Sequence, residues 1–522
     1  MLFHVGGIAY FASIAVMKLL SPAISRLVRL RSQKIEDWRD NPIAAQREVL
    51  QDLVTHAQYT EFGRKYGFNE LFNIRKFKAT VPIHEYDDLK PYIQSILDGA
   101  ENVLWNTPVA WMAKSSGTTN DKSKFIPITE ESLEDCHYQG AKDVLSLYYM
   151  ARPDSDLLTG KGLVIGGSHQ VSQLNEALQF GDLSAVLLQN APFYGQLIRT
   201  PDLAIALMDE WETKIEALAQ NTLHENVTSI SGVPTWTLVL IKRILEISGK
   251  QTLKEVWPSL ELYIHGGVSF TPYRQQFKAL LGNDVAFMEM YNASEGFFAA
   301  QESPETDGML LFLQHGIFYE FMPLEEYGKP NPTTIGLKSV EIGKPYALVI
   351  STNGGLWRYL VGDTIEFVSL YPFRVKVVGR VKHFINAFGE ELMVHTADTA
   401  IAEACTATAL HVNDYTAAPI FFSDNHNGAH EWLIEFEQTP DAEALATFTQ
   451  VLDTTLQRCN SDYEAKRHKN IALNVPVVHP LPKGSFNTWL KGKGKLGGQH
   501  KVPRLSNDRK YIDDIKRLLH LP

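Results

Sequence analysis

The sequence predicts an α/β fold: a large N-terminal α/β domain with mainly parallel sheets, and a small mobile C-terminal α+β domain on a hinge. With 522 residues, the chain is longer than one compact domain. From about residue 100, short apolar segments typical of strands alternate with helical segments, a pattern typical of a largely parallel sheet. Near Gly379-Arg380 it changes to two helices and three strands. We therefore divide the chain into residues 1–35, 36–379 and 380–522.

Composition and charge are those of a globular protein. Hydrophobic residues make up 44% and charged residues 21%, which argues against global disorder, collagen or a coiled coil. The net charge is −11, although residues 481–522 hold ten lysines and arginines against three acids. The remainder is therefore strongly acidic and would repel nucleic acid. Cys136, Cys405 and Cys459 form no disulfide framework, which predicts a reducing, cytoplasmic compartment. The histidines show no zinc-binding spacing.

The N-terminal segment has two interpretations. Residues 5–17 are apolar, and the first 35 residues contain five basic residues and no acid. The apolar run is shorter than the ~20 residues that span a bilayer, and no lysine or arginine precedes it, as a secretory signal would require. We expect a helix docked on the body. The alternative is peripheral membrane contact through residues 1–31, with an apolar segment and a basic flank.

The spacing of apolar residues places the helices and strands. Asn41-Pro42 has the composition of a helix start, and apolar residues then repeat at helical spacing until Gly63, which is expected to end the helix. Further helices are predicted over 204–218, 236–247, 395–408 and 442–457. Strands are predicted over 109–113, 162–165, 262–264, 286–290, 347–350, 364–368, 373–378, 417–422, 432–436 and 475–478.

The strongest local motif is KSSGTTNDKSK, residues 114–124, between two strand-like segments. Small hydroxyl residues and glycine let backbone amides approach phosphate oxygens, and lysine adds positive charge. The motif is not a Walker A loop, because the pattern GxxxxGK[ST] is absent. A solvated Ser/Thr-rich turn would have the same composition.

Three other segments carry residues suited to nucleotide binding. YNASEG, residues 291–296, directly follows a predicted strand, where α/β sheets bind ligands. Its Tyr291 could stack on a base, and its Glu295 could hold Mg²⁺. Asp363, at the end of WRYLVGD, could accept two ribose hydroxyls. Residues 491–504 alternate glycine and lysine, which predicts a mobile cationic loop rather than a helix. Each segment alone also fits an ordinary turn or surface loop.

Together, these parts fit a nucleoside triphosphate with magnesium, and their order resembles the adenylate-forming superfamily of firefly luciferase and the acyl-CoA synthetases. The resemblance is closer to the Gretchen Hagen family of auxin-responsive acyl-acid amido synthetases, in its bacterial form. It runs from about residue 40 to 510 and rests on AQYTEFGRKYGF (57–68), VPIHEYDDLKPYI (81–93), SSGTTNDKSKFIPIT (115–129), SGVPTW (231–236), YNASEGFF (291–298), WRYLVGD (357–363) and GGQHKVPRLSNDR (497–509). The chain departs from the pattern at Asn120-Asp121, where the superfamily has glycine, and at Glu390-Glu391, where plant members carry a lysine after the hinge.

The resemblance implies roles for individual residues. Glu295 would hold Mg²⁺ and act in catalysis with a lysine from the C-terminal loop, which is Lys501 or, as the alternative, Lys495. The acyl pocket would be bordered by Val233, Pro234 and Trp236. The hinge would lie at Arg380. The residues expected to contact ATP are Ser115, Ser116, Gly117, Thr118, Thr119, Lys124, Gly266, Gly267, Tyr291, Asn292, Ser294, Asp363 and Arg380.

The resemblance therefore implies a ligase with ATP and Mg²⁺ as cofactors. A carboxylic acid would be adenylated, and its acyl group transferred to an amine, that of an amino acid, with release of pyrophosphate and AMP. One alternative is an acyl-CoA synthetase, in which a thiol is the acceptor. Another is a non-catalytic protein that binds nucleotide or a partner. We expect small-molecule partners, no nucleic acid, and a monomeric cytoplasmic enzyme, with membrane association through residues 1–31 as the alternative.

Overall fold

The computed structural model describes residues 28, 30–71, 73–115, 124–166, 172–173, 178–208, 210–267, 270–381, 384–385, 387–388, 390, 392–421, 428–467, 473–493 and 501–521. An eleven-stranded sheet forms the centre of the larger part of the chain, and a separate three-stranded sheet forms the centre of the C-terminal unit. None of the helices in these ranges is both long enough and apolar enough to cross a membrane.

The α-helices are numbered in chain order, and α1 covers residues 30–40. The others are α2 (Pro42–Ala57), α3 (Glu61–Lys65), α4 (Ile74–Thr80), α5 (Tyr86–Leu97), α6 (Gln139–Ala151), α7 (Leu183–Gln189), α8 (Phe193–Leu197), α9 (Leu203–Ala206), α10 (Trp211–Thr222), α11 (Pro234–Ser248), α12 (Leu253–Val256), α13 (Arg274–Leu281), α14 (Val394–Thr408), α15 (Ala442–Cys459), α16 (Ser461–Arg467), α17 (Ser485–Gly492) and α18 (Lys510–Leu518).

The strands are numbered in the same way. They are β1 (Trp111–Ser115), β2 (Lys124–Ile128), β3 (Lys161–Val164), β4 (Ser172–Gln173), β5 (Gln179–Gly181), β6 (Arg199–Thr200), β7 (Val227–Ser231), β8 (Leu262–His265), β9 (Ala286–Ala293), β10 (Gly296–Ala300), β11 (Met309–Leu311), β12 (Ile317–Pro323), β13 (Pro345–Thr352), β14 (Tyr359–Leu370), β15 (Phe373–Arg380), β16 (Phe384–Ile385), β17 (Leu392–Met393), β18 (Val412–Ile420), β19 (Ala429–Phe436) and β20 (Val477–Leu481).

The large sheet is mixed, so the prediction of mainly parallel strands is wrong for one half of it. In the order β12-β13-β14-β15-β11-β10-β9-β8-β7-β3-β6, the strands from β9 to β6 pair in parallel. The strands from β12 to β9 pair in antiparallel fashion. Parallel neighbours need a crossover of about a dozen residues or more, and turns such as the one joining β14 to β15 are too short for that. The α/β class itself is confirmed.

Two helix boundaries differ from the prediction. α2 ends at Ala57, and Gly63 lies inside α3, where a Cβ atom would lie 2.0 Å from the carbonyl oxygen of Ala57. Gly63 therefore allows a close backbone contact and does not end a helix. The helix predicted over 204–218 is two helices, because the Glu210 carboxylate accepts hydrogen bonds from the first amides of α10, which starts a new helix there.

The described part of the N-terminal segment is docked on the body. Ile35 and Trp38 on α1 are buried. The Arg31 guanidinium donates to both carboxylate oxygens of the buried Asp143, at 2.6 and 2.7 Å, so the charge of Arg31 is paired inside the protein. The apolar segment 5–17 lies outside the described residues.

The C-terminal unit contacts the large domain through Asn413 on β18, whose carbonyl accepts a hydrogen bond from the Tyr273 hydroxyl at 3.0 Å. α14 and α15 contribute to the core of this unit. The segment after residue 501 runs beside β18, because the Ala417 amide donates to the Arg504 carbonyl at 2.8 Å and the Ser506 amide donates to the Ala417 carbonyl at 3.1 Å. Lys501 is thereby attached to this sheet.

Candidate functional site

A cavity of about 1510 Å³ lies at the carboxyl ends of β7, β8 and β9 and extends to the C-terminal unit. The predicted site residues in its wall are Ser115, Val233, Trp236, Gly266, Gly267, Tyr291, Asn292, Ser294, Glu295, Asp363, Arg380 and Lys501. Pro234 lies outside the wall and is the buried first residue of α11. Lys124 lies beside the wall at the start of β2. Ser116, Gly117, Thr118, Thr119 and Lys495 lie outside the described residues.

Asp363 is the centre of a hydrogen-bonded group in this wall. The Tyr291 hydroxyl donates to its Oδ2 at 2.7 Å, and Arg380 Nε donates to its Oδ1 at 2.8 Å. Asp363 and Arg380 face each other on β14 and β15, and the charge of Asp363 raises the pKa of Arg380 despite burial. A carboxylate has about four acceptor positions, so Asp363 keeps capacity for ligand hydroxyls. Its position is fixed from two sides.

Glu295 lies in a tight turn between two strands. β9 ends at Ala293 and β10 begins at Gly296, which pair with each other, so Ser294 and Glu295 form a two-residue hairpin loop. Such a short loop holds its side chains in a fixed direction. Burial raises the pKa of Glu295, and the charge of Lys124 partly offsets the effect. A bound cation would stabilise this carboxylate in its charged form.

The donor set fits Mg²⁺ held together with a nucleotide. Among the described residues, no group of three or more His, Cys, Asp or Glu side chains could hold a metal ion. Mg²⁺ at nucleotide sites usually takes one or two carboxylates and completes its coordination with phosphate and water oxygens. A single half-buried carboxylate, Glu295, therefore fits Mg²⁺ bound together with a nucleotide.

Lys124 is held by two tyrosines next to this turn. Its Nζ donates to the Tyr359 hydroxyl at 3.3 Å and lies 5.4 Å from the centre of the Tyr86 ring. The Tyr86 hydroxyl accepts the Phe125 amide at 2.8 Å. Tyr86 lies in the motif VPIHEYDDLKPYI and Tyr359 in WRYLVGD. The sequence did not predict that either side chain supports Lys124.

Lys501 reaches across from the C-terminal unit to Gly267, which follows Gly266 after β8. Its Nζ donates to the Gly267 carbonyl. Gly267 has a positive φ of +82°, and a Cβ atom there would lie 3.2 Å from the lysine Nζ. At Gly266 a Cβ atom would lie 2.4 Å from the Met290 carbonyl oxygen. A side chain at Gly267 would therefore crowd the lysine, and a side chain at Gly266 would collide with the backbone of β9.

The ammonium of Lys501 has a lowered pKa. The side chain is exposed to solvent in the cleft, yet the surrounding protein desolvates its ammonium, and this effect together with the charge of Arg380 lowers the pKa to about 8.

Arg504 anchors the Lys501 segment and was not predicted from the sequence. It forms an ion pair with Asp414 on β18, and its Nη2 donates to the Tyr273 hydroxyl at 2.9 Å. Its guanidinium also lies 4.5 Å from the centre of the Tyr415 ring. Since Tyr273 belongs to the large domain, Arg504 joins the two units three residues from Lys501. The spacing of lysines and arginines in residues 481–522 does not distinguish Arg504 from the other basic residues there.

Comparison with known families matches three stretches of the chain. The GH3 family N-terminal domain matches residues 31–286, the GH3 family central domain residues 310–380, and the GH3 family C-terminal domain residues 395–510. The chain belongs to the GH3 family. The predicted resemblance to acyl-acid amido synthetases of the adenylate-forming superfamily is confirmed at the level of the family. The GH3 chain is a ligase, and ligases of this superfamily use ATP.

Relatives and solved structures cover nearly the whole GH3 chain. Indole-3-acetic acid-amido synthetase GH3.3 of Arabidopsis thaliana is 22% identical over 93% of this chain and 92% of its own. AtGH3.15 acyl acid amido synthetase in complex with 2,4-DB has a TM-score of 0.77 at 17% identity, covering 95% of this chain and 96% of its own. 2-Hydroxyisobutyryl-CoA ligase in the postadenylation state has a TM-score of 0.60 at 14% identity, covering 91% of each. Enzymes that form amides and enzymes that form thioesters thus share this fold.

Proposed function

We propose that this chain adenylates a carboxylic acid with ATP and transfers the acyl group to an amine, that of an amino acid. The observation that carries the proposal is the convergence of Asp363, Glu295 and Lys501 on one cavity in a chain of the GH3 family. They come from β14, from the turn after β9 and from the C-terminal unit. An anionic triphosphate and its ribose need this combination of hydroxyl acceptor, metal ligand and mobile cation.

ATP would lie along the carboxyl ends of the parallel strands. Asp363 would accept hydrogen bonds from the ribose hydroxyls, with Tyr291 and Gly266-Gly267 beside the adenine. Lys124 and the loop starting at Ser115 would face the phosphates. Glu295 would hold Mg²⁺, which when bound neutralises charge on the phosphate oxygens.

In the first step, an oxygen of the substrate carboxylate attacks the α-phosphorus of ATP, and pyrophosphate leaves. The protein contributes by aligning the two anions and by compensating the charge that develops between them. The ammonium of Lys501 is the group of the C-terminal unit placed to do this. In the second step, the amine attacks the acyl carbon, its proton is released, and AMP leaves with the bonding electrons.

We further propose that the enzyme is a cytoplasmic monomer of a bacterial branch of the family. The three cysteines are free, which supports a reducing compartment. The low identity to plant relatives supports a separate branch. Peripheral membrane contact through residues 1–31 would involve the segment before Arg31, since Arg31 is paired with Asp143. The hinge of the small unit would follow Arg380, the last residue of β15.

The experiment that tests the function is ATP–pyrophosphate exchange with a panel of carboxylic acids. Exchange that depends on one acid is the expected result. A folded protein that binds no ATP and gives no exchange with any acid would refute the proposal. Product analysis with amino acids and with CoA then separates amide formation from thioester formation. Thioester formation is the second candidate function, because the CoA ligase has the same fold.

We expect the pH dependence of adenylation to follow Lys501. The ammonium is charged below its pKa and loses its charge as the pH rises through that value, so kcat/KM for ATP should fall on the alkaline side, starting near pH 8. The Lys501→Arg variant, whose charge persists above pH 12, should lack this decline even if its overall rate is lower. The same alkaline decline in both proteins would show that another group is responsible.

We also expect the contacts of Glu437 to favour the adenylating arrangement of the two units. Its carboxylate pairs with Lys242 of α11 and accepts from Gln276 Nε2 at 2.7 Å. The Glu437→Gln variant should therefore slow pyrophosphate exchange by about 2- to 10-fold, the value of a partly exposed charged hydrogen bond. Transfer from isolated acyl-adenylate to the amine should keep its rate. The control is Glu443→Gln, an exposed residue on α15, and equal slowing of both steps would contradict this role.

A further inference from the structure

The cavity continues from the nucleotide end across the parallel half of the sheet. Arg199 on β6 pairs with Gly162 on β3, and Gly162 pairs with Ser229 on β7. Residues in register on neighbouring parallel strands project from the same face of a sheet, and these three line the cavity. Gly162 has no side chain, so the surface between the serine and the arginine stays open.

Arg199 is incompletely satisfied by the protein. Its Nη1 donates to the Pro201 carbonyl at 3.0 Å. Its Nε is buried without any hydrogen-bond partner. Among the described residues, neither Nε nor Nη2 has an acceptor, and no carboxylate forms an ion pair with this guanidinium within 4.0 Å. Burial lowers the pKa of Arg199. The charge of Asp202, which lies farther away, offsets this effect only in part.

Several other arginines and lysines in the same wall are neutralised by acids. Lys242 pairs with Glu437, Arg243 with Glu216 and Glu246, and Lys376 with Asp307. A guanidinium left without a carboxylate in a cavity wall costs free energy through its missing hydrogen bonds. An anionic ligand group would supply them, and a planar carboxylate fits the guanidinium with two hydrogen bonds.

The wall of the same cavity includes five leucines that would suit an apolar chain. They are Leu145 of α6, Leu183, Leu187 and Leu188 of α7, and Leu158. Gly266 and Arg199 are separated by three strand spacings and four residues along the strands, which is roughly 20 Å between backbone positions. The arginine side chain covers part of this distance. A flexible aliphatic chain of medium length would cover the rest.

We propose that Arg199 binds an anionic group at the far end of the acyl substrate, so that the enzyme adenylates an aliphatic acid carrying a second carboxylate. The proposal rests on the adenylating function above and names the class of acid that it uses. One carboxylate lies at the nucleotide end, where it reacts, and the apolar chain lies along the leucine wall. The other carboxylate meets Arg199. The carboxylate of an amino acid acceptor is the rival ligand, and the first half-reaction excludes it because no acceptor is present.

The test is pyrophosphate exchange, without acceptor, using straight-chain dicarboxylic acids from adipic to dodecanedioic acid and the monocarboxylic acid of each length. The wild-type enzyme should prefer the dicarboxylic acid at its best length. Arg199→Leu should lower kcat/KM for that acid about 10- to 100-fold, which is the usual value of a charge-assisted hydrogen bond. It should leave the monocarboxylic acid unchanged or improved. Arg199→Lys should recover part of the loss.

The control is Arg152→Leu, an exposed arginine paired with Glu305 outside the cavity, which should behave like the wild type. Exchange with the monocarboxylic acid shows that Arg199→Leu is folded. Equal use of both acid types by wild type and Arg199→Leu would overturn the subsite and leave adenylation standing. Unchanged exchange with a raised KM for an amino acid acceptor would assign Arg199 to the acceptor instead. No exchange with any acid would refute the adenylating function itself.

Discussion

Replacing Lys501 by alanine is expected to lower the rate of pyrophosphate exchange by about 100- to 1,000-fold. Loss of one preorganised donor to a developing charge usually costs this much, and the lysine reaches Gly267 from the C-terminal unit. The KM for ATP should change less than kcat, because Asp363, Tyr291 and Lys124 remain in place. The measurement is steady-state exchange at saturating acid.

Two controls make the assignment of Lys501 specific. Lys493→Ala removes a neighbouring cation that pairs with Asp514, and it should have little effect. Lys495→Ala tests the alternative lysine of the same basic segment. A large loss in Lys495→Ala together with a nearly normal Lys501→Ala would show that the two lysines have been assigned in the wrong order.

The Glu295→Gln variant is expected to show the second-largest effect, a loss of about 100-fold in exchange at ordinary magnesium concentrations. The change keeps the shape of the side chain and the hairpin turn and removes the charge that would hold Mg²⁺. The magnesium concentration giving half the maximal rate should rise together with the loss. Exchange measured against magnesium concentration tests both effects.

The matched control for Glu295 is Glu305→Gln, which changes an exposed carboxylate outside the cavity. It should leave the magnesium dependence as it is in the wild type. If Glu295→Gln lowered the rate without altering the response to magnesium, the carboxylate would act through Lys124 or through the turn rather than as a metal ligand.

Much of the site could be predicted because its parts are short continuous motifs. Glu295, Asp363 and Lys501 each lie in a segment whose small residues and glycines indicate a ligand-binding turn. The structure brings them to one cavity although they are far apart in the chain. The α/β class followed from alternating elements, but the antiparallel half of the sheet did not. Whether neighbouring strands run in parallel depends on the connections between them. The spacing of apolar residues does not predict these connections.

The motif WRYLVGD shows why residue roles were harder to predict. Arg358 is buried and forms an ion pair with Glu320 at 2.8 Å, and its Nη1 donates to the carbonyls of Lys78 and Val81. The Trp357 indole donates to the Leu104 carbonyl at 3.0 Å. These residues hold β14 in place, while Asp363 of the same motif faces the cavity. Sequence alone does not separate the two kinds of residue, because both are polar or aromatic groups within one seven-residue motif.

The attachment of Lys501 to β18 has a consequence for the reversibility of the reaction. The segment carrying this lysine is hydrogen-bonded to the sheet of the C-terminal unit, so any rotation of that unit carries the ammonium away from Gly267. Pyrophosphate could then no longer be returned to the acyl-adenylate with the help of that charge. The movement that makes room for the amine would therefore also disable the back reaction, and the first half-reaction would become committed before the second begins.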